Sequence, residues 1–141
     1  MRPALKEMGM WSTEAEELIL GTFAQESHLG YWLAQKNGPA LGIGQMEPLT
    51  HDDCWRYLNI RNDIRETVGS VTGYAVQPVH ETLVWDLRYA AVMSRLRYWM
   101  IPESIPEGLD GQAEYWKNYY NTELGKGTVD EYIENFNRFL R

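Results

Sequence analysis

Apolar residues recur at helical spacing through most of the chain. Ala15, Leu18, Ile19, Thr22 and Phe23 share one face, and Thr13 with Glu16 forms a capping-box pattern ahead of them. The spacing predicts a helix from about Glu14 to about Ser27, stopped by Gly30. Residues 31–49 break the period with Gly38, Pro39, Gly42, Gly44 and Pro48, and read as a loop with at most a helical turn near Tyr31–Gln35. Thr50 has the character of an N-cap, with Asp52 and Asp53 in the first turn of a helix to about Arg61. Residues 67–78 carry Gly69, Gly73, Pro78 and β-branched side chains, and read as an irregular excursion or a short hairpin.

The segment from His80 to Met100 gives the longest helical pattern. Tyr89, Val92, Met93, Leu96, Trp99 and Met100 make one stripe, and Leu87, Ala90, Ala91 and Ser94 make a second face of small and apolar residues. A helix apolar on two faces is central and buried. Pro102 and Pro106 end it. Two more helices follow, at about 111–121 and about 129–140. Thr128 and Glu131 open the last, which buries Tyr132, Ile133, Phe136 and Leu140. No internal repeat, low-complexity tract or linker interrupts the pattern. The expected fold class is therefore all-α, or nearly so, in a single domain spanning 1–141.

Composition narrows the function classes. Of 141 residues, 44% are hydrophobic, enough for one compact core. No apolar run approaches the length of a bilayer span, so no stable membrane insertion is expected. Residues 1–11 hold Arg2 and Lys6 but no continuous apolar block, so no signal peptide is expected either. The net charge is −7, and the basic residues are scattered apart from Arg88, Arg95 and Arg97. That argues against a nucleic-acid partner. The single cysteine, Cys54, permits no intramolecular disulfide and reads as a small buried apolar residue. His28, His51 and His80 follow no metal-ligand spacing, so neither metal nor cofactor is expected. Ser27 and Cys54 sit in no nucleophile motif, and the glycines at 42 and 44 lack the lysine of a phosphate loop.

One residue contradicts its own pattern. Stepping by three and four from Ile19 reaches Thr22, Phe23 and then Glu26, which puts a carboxylate on the buried stripe of its helix. It also lies in the last turn, where the helix dipole disfavours negative charge. Both effects raise a carboxyl pKa, and a carboxyl protonated near neutral pH is what general-acid catalysis requires. The same logic operates in lysozyme, a known precedent. The plain alternative is a fraying helix end with Glu26 turned to water. The loop that follows supplies glycines for close backbone approach and Gln45 as donor and acceptor. Tyr31, Trp32, Trp85, Tyr115, Trp116, Tyr119 and Tyr120 offer flat faces for sugar rings, although each taken singly is more often core packing.

Three blocks carry a family resemblance. Gln25-Glu26-Ser27 resembles the Glu-Ser pair that ends the catalytic helix of the soluble lytic transglycosylases and goose-type lysozymes, members of the lysozyme-like superfamily. Gly42-Ile43-Gly44-Gln45-Met46-Glu47-Pro48-Leu49-Thr50 resembles their Gly-Leu-Met-Gln-x-Met-Pro-x-Thr loop. Tyr119-Tyr120-Asn121, followed by Gly125-Lys126-Gly127, resembles their Ala-Tyr-Asn-Ala-Gly segment. Asp86-Leu87-Arg88-Tyr89-Ala90-Ala91 looks like their central helix. The blocks stand in the family's order and span about Leu18 to Val129.

The resemblance implies a lysozyme-like fold with a central buried helix and a substrate cleft, and peptidoglycan as the partner it acts on. It implies Glu26 as sole catalytic acid and base, with Ser27, Gln45, Tyr120 and Asn121 as substrate-binding or near-site residues. Glu26 would protonate the oxygen between N-acetylmuramic acid and N-acetylglucosamine, and the substrate's acetamido group would support the sugar cation. Ionised Glu26 would then take a proton from the muramic acid 6-hydroxyl, giving a 1,6-anhydro end, or from water, giving hydrolysis. Three positions depart from the pattern. Gly44 replaces the usual Met, residues 122–124 enlarge the segment after Asn121, and Glu47 stands where an apolar residue is usual. Glu47 is a candidate second carboxylate or a solvated loop charge, and the loop charge is preferred. Asp52 and Asp53 are weaker candidates, better read as helix N-terminal charges. The alternatives are a two-carboxylate lysozyme and a non-catalytic glycan-binding or virion structural module. The expected setting is a monomeric bacteriophage enzyme, made in the host cytoplasm and reaching the wall through membrane pores or as part of the phage particle. A bacterial secretion-associated enzyme is the third setting.

Overall fold

The computed structural model describes residues 1–121 and 125–141, so the enlarged 122–124 segment lies outside the described residues. The described chain is mostly helical and contains no β-strand. It forms α1 (Arg2–Glu7), α2 (Thr13–Ser27), α3 (Pro48–Ile60), α4 (Asn62–Thr72), α5 (Thr82–Trp85), α6 (Leu87–Trp99), α7 (Leu109–Trp116) and α8 (Val129–Leu140). A π-helical turn over Lys117–Asn121 continues α7. No described helix is long and apolar enough to cross a membrane.

Several helix ends differ from the sequence expectation, each for a local reason. Ser12, not Thr13, caps α2, its Oγ accepting from the Ala15 amide at 3.0 Å. Glu16 is released from a capping box and instead takes Arg2 Nε at 2.7 Å and Trp11 Nε1 at 2.8 Å, tying α1 to α2. The third helix begins at Pro48 and not after Thr50, since proline at the first helical position brings its φ already set and needs no amide partner. The expected excursion over 67–78 is helical as far as Thr72, because Ile64, Val68 and Val71 bury one face at helical spacing. Tertiary burial outweighs the weak helix propensity of the β-branched residues there. The chain is irregular only beyond Gly73. The expected 80–100 helix is two, because Asp86 leaves helical geometry and its carboxylate accepts from the Tyr89 amide at 2.9 Å, capping α6. No helical turn forms at 31–35. An isolated bridge between Ala34 and Leu41 stands there instead, followed by one between Leu41 and Met46. Thr128 and Glu131 do form the capping box expected for α8.

Helix α6 is central. Every residue from Tyr89 to Leu96 is buried, and α1, α2, α3 and α4 all pack on it. Its apolar side chains divide between two clusters. One gathers Trp55, Leu58, Val68, Met93 and Leu96 from α3, α4 and α6. The other gathers Leu18, Ile19, Phe23, Trp116 and Tyr132 from α2, α7 and α8, with Ala91 and Tyr98 of α6. A buried hydrogen bond of 2.7 Å between Thr22 Oγ1 and Tyr98 Oη pins α2 to α6. Ile43, in the loop before α3, packs against both clusters. That loop therefore lies over the junction of the two halves. Cys54 is buried, and burial pushes its thiol up to about 12.

Candidate active site

The end of α2 is tightly built. His28 (φ 49°), Leu29 (φ 56°) and Gly30 (φ 92°) follow one another in left-handed backbone. The His28 and Leu29 amides return to Ala24 O and Phe23 O, closing the helix. Two non-glycine residues in this region cost about 1 kcal/mol each, so the surroundings must enforce the turn. Ser27 does much of this. Its fully buried hydroxyl donates to Ile43 O at 2.7 Å, lies 3.2 Å from Phe23 O, and accepts from the Gly30 amide at 2.9 Å. Ser27, expected near the substrate, thus clamps the helix end to the glycine-rich loop and is buried off the cavity wall.

Glu26, one residue earlier, opens onto a cavity of about 830 Å³. Among the described residues its carboxyl has one side-chain partner, Trp116, whose indole Nε1 donates to Oε1 at 2.9 Å. Burial pushes the Glu26 carboxyl up from 4.5 to about 7, and the Trp116 donor opposes the rise. The phenols of Tyr98 and Tyr120, with rings 5.2 Å apart, are both pushed upward by burial and further by the nearby Glu26 charge. Near neutral pH the site therefore holds a carboxyl poised between its two forms against neutral aromatic neighbours.

The second wall is the 42–47 loop. The Leu41 and Met46 backbones exchange hydrogen bonds at 2.9 Å, and the Gln45 amide returns to Gly42 O at 3.0 Å. Gln45 adopts φ 44°, and its side-chain nitrogen donates to Gly42 O at 2.8 Å, bracing the turn from the cavity wall. Gly44 sits beneath. Tyr120 Oη donates to Gly44 O at 2.7 Å, and a Cβ at residue 44 would run into Ser94 Oγ and Tyr120 Oη. No side chain fits at residue 44 unless Ser94 and Tyr120 move. At Gly42 (φ 78°) a Cβ would collide with Leu83 O, so α5 supports the loop from behind.

The third wall is the π-helical turn. A π-turn widens the helix and leaves carbonyls without their usual partners. Arg97 of α6 supplies one, its Nη2 donating to Tyr119 O at 3.1 Å. Lys117 Nζ donates to Asn121 Oδ1 at 2.7 Å and Gly125 O at 2.9 Å, holding Asn121 at the rim. The cavity thus collects Glu26, Gln45, Glu47, Tyr120 and Asn121. Three cations not singled out by the sequence, Lys36, Arg97 and Lys126, line the same cavity. The sequence groups Arg97 with Arg88 and Arg95, which the fold sends elsewhere: Arg88 toward Val71 O and Arg95 into the core against Met10 O. Of the aromatic residues, Trp32 lines the cavity and stays half exposed. Tyr115 and Trp116 are buried, and Trp85 is exposed away from the cavity.

Asp53 is exposed and paired with Arg56. Asp52 does not line the cavity and meets His51 and His80, a convergence that no linear spacing announced. Burial pushes the His51 imidazole down to about 4, the nearby His80 adds to the fall, and Asp52 opposes it. Comparison with protein-family models, with curated proteins and with solved structures finds no match to this chain.

Proposed function

We propose that this chain is a peptidoglycan lytic transglycosylase of lysozyme-like fold, cutting between N-acetylmuramic acid and N-acetylglucosamine. The observation that carries the reading is Glu26: a carboxyl raised to about 7, on a cavity wall, held by one indole donor. A group so poised gives up a proton and takes one back at neutral pH, which a single acid and base must do. The support is reinforced by the three sequence blocks, which are far apart in the chain yet supply the walls of one cavity.

In this reading Glu26 protonates the bridging oxygen, and the departing bond leaves a sugar cation supported by the substrate's own acetamido oxygen. Glu26, now ionised, accepts the proton of the 6-hydroxyl as that oxygen closes on the anomeric carbon. Trp116 keeps its hydrogen bond throughout and stabilises the ionised stage. Gln45, Asn121 and the exposed face of Trp32 bind sugar, and Tyr120 sets the distance between loop and catalytic carboxyl. A second reading is favoured by one observation. Glu47 stands on the same cavity wall, so a water held between it and the sugar would make the enzyme a hydrolytic lysozyme. The proposed setting is a bacteriophage lysin or a wall-piercing virion component.

The test is mass spectrometry of purified peptidoglycan digested with wild type, Glu26→Gln and Glu47→Gln. Anhydro-muropeptides from wild type and Glu47→Gln, but not from Glu26→Gln, are expected. Reducing-end products lost in Glu47→Gln would give the lysozyme reading instead. Adsorption to the wall without cleavage by folded wild type would reduce the chain to a glycan-binding module.

A further inference from the structure

The fold brings together three ligand-type side chains that serve no part of the cavity chemistry. His51 is buried in the first turns of α3, Asp52 follows it, and His80 comes from the irregular segment between α4 and α5. One ligand atom from each lies within 4.8 Å of the other two. His80 Nε2 stands 2.8 Å from Asp52 Oδ1, and the two imidazole rings meet edge to face at 5.2 Å. We propose that His51, Asp52 and His80 bind one divalent metal ion of the zinc class.

The donor set decides the class. Two imidazole nitrogens and one carboxylate oxygen suit zinc, cobalt and nickel, whereas calcium and magnesium require oxygen throughout. Three protein ligands leave a fourth position for water, and the partly exposed side chains of Asp52 and His80 keep that side open. The support behind the ligands is also of the kind metal sites use. His51 Nε2 lies 2.6 Å from Tyr89 Oη, and Trp55 Nε1 donates to the same phenol at 2.8 Å. With the His51 proton on Nε2, toward Tyr89, Nδ1 keeps its lone pair free on the side of Gln77. A metal-bound imidazole is held in the same way, its far nitrogen fixed by a neighbour. Gln77 already bridges the cluster, with its amide nitrogen 2.6 Å from Asp52 Oδ1 and 3.4 Å from His51 Nδ1.

Ligand atoms on a tetrahedral zinc ion stand about 3.3 Å apart, given bonds of about 2.0–2.1 Å. The widest gap must therefore close by about 1.5 Å at most. Asp52 and His80 can supply that movement because both reach water, whereas His51 is fixed by its buried partners. The ion would clip the chain between α4 and α5 onto α3, at residues that do not line the cavity of Glu26. The site is independent of the cleavage chemistry, and its test needs no substrate.

The experiment is calorimetric titration of the metal-stripped full chain with zinc chloride, alongside cobalt chloride titration read by visible absorption. Wild type should take up one zinc ion, and cobalt should give the intense visible bands of a low-coordinate site. His80→Ala and Asp52→Asn, whose side chains are partly exposed and whose folding circular dichroism verifies, should each weaken binding at least tenfold. His28→Ala should leave it unchanged. No saturable uptake by folded wild type would overturn the proposal. So would binding that survives both ligand substitutions, or that falls with His28→Ala, since either places the ion elsewhere.

Discussion

Replacing Glu26 by glutamine tests the central electrostatic argument without reference to any substrate. The unfolded chain releases the Glu26 proton near 4.5, while the folded chain holds it to about 7. A raised carboxyl pKa favours the folded state fully below pH 4.5, and that contribution is lost as pH rises through 7. Each pH unit inside the window is worth about 1.4 kcal/mol. Glutamine has nearly the same shape, can still accept from Trp116 Nε1, and does not titrate. Whatever fixed cost its amide carries is the same at every pH. The stability of Glu26→Gln relative to wild type should therefore improve by about 2.5 kcal/mol between pH 5 and pH 8.5. Relaxation of the carboxylate toward the open cavity makes about 1 kcal/mol the lower bound. At about 4 °C per kcal/mol for a chain of this size, the melting-temperature gap should move by about 4–10 °C. The assay is thermal unfolding of both proteins across that pH range, followed by circular dichroism. A gap that does not change with pH would mean that Glu26 ionises at its ordinary value, and the general-acid argument would fall with it.

Trp116→Phe removes the donor that favours the ionised form, so the Glu26 midpoint should rise above that of wild type, read by carboxyl carbon NMR titration. Gly44→Ala should cost about 1–3 kcal/mol in denaturant unfolding, because the added methyl meets Ser94 Oγ and Tyr120 Oη. Ser27→Ala leaves Ile43 O and the Gly30 amide without their partner and should cost about 1–3 kcal/mol. Hydrogen exchange at the Gly30 amide should accelerate in that variant.

Much of the helical layout was legible because it rests on local periodicity. Apolar stripes on two faces along 87–100 announced a central helix, and α6 is buried from Tyr89 to Leu96, although Leu87 and Trp99 at its ends are exposed. Glu26 could be picked out by stepping along its own helix. What escaped depends on partners distant in sequence. The first helix has only six residues, and it is held by packing of Ala4 and Leu5 and by the Glu16 contacts to Arg2 and Trp11. The part of α4 from Thr67 to Thr72 looked irregular until Ile64, Val68 and Val71 had something to pack against. The Asp86 break depended on a carboxylate choosing a cap over continuation. At the site, the glycine-rich loop was legible as a loop, but neither Ser27 as its clamp nor Trp116 as the Glu26 donor was, since those roles arise from contacts 16 and 90 residues apart. The meeting of His51, Asp52 and His80 is likewise a property of how α3 and the 73–81 segment pack, with no trace in their spacing.

The π-helical turn at Lys117–Asn121 carries one residue more than the α-helical turn it replaces. The number of residues there, and not only their kinds, decides which side chains face Glu26. Losing one codon from this stretch would let the turn close to α geometry. The side chains of the turn would be re-phased by up to about 100° about the helix axis, and the Tyr120 phenol would leave Gly44 O. Substitutions can tune this cavity, but a single-residue insertion or deletion can make or unmake it, so descent by small length changes is a path by which such a site is gained or silenced on an otherwise intact scaffold.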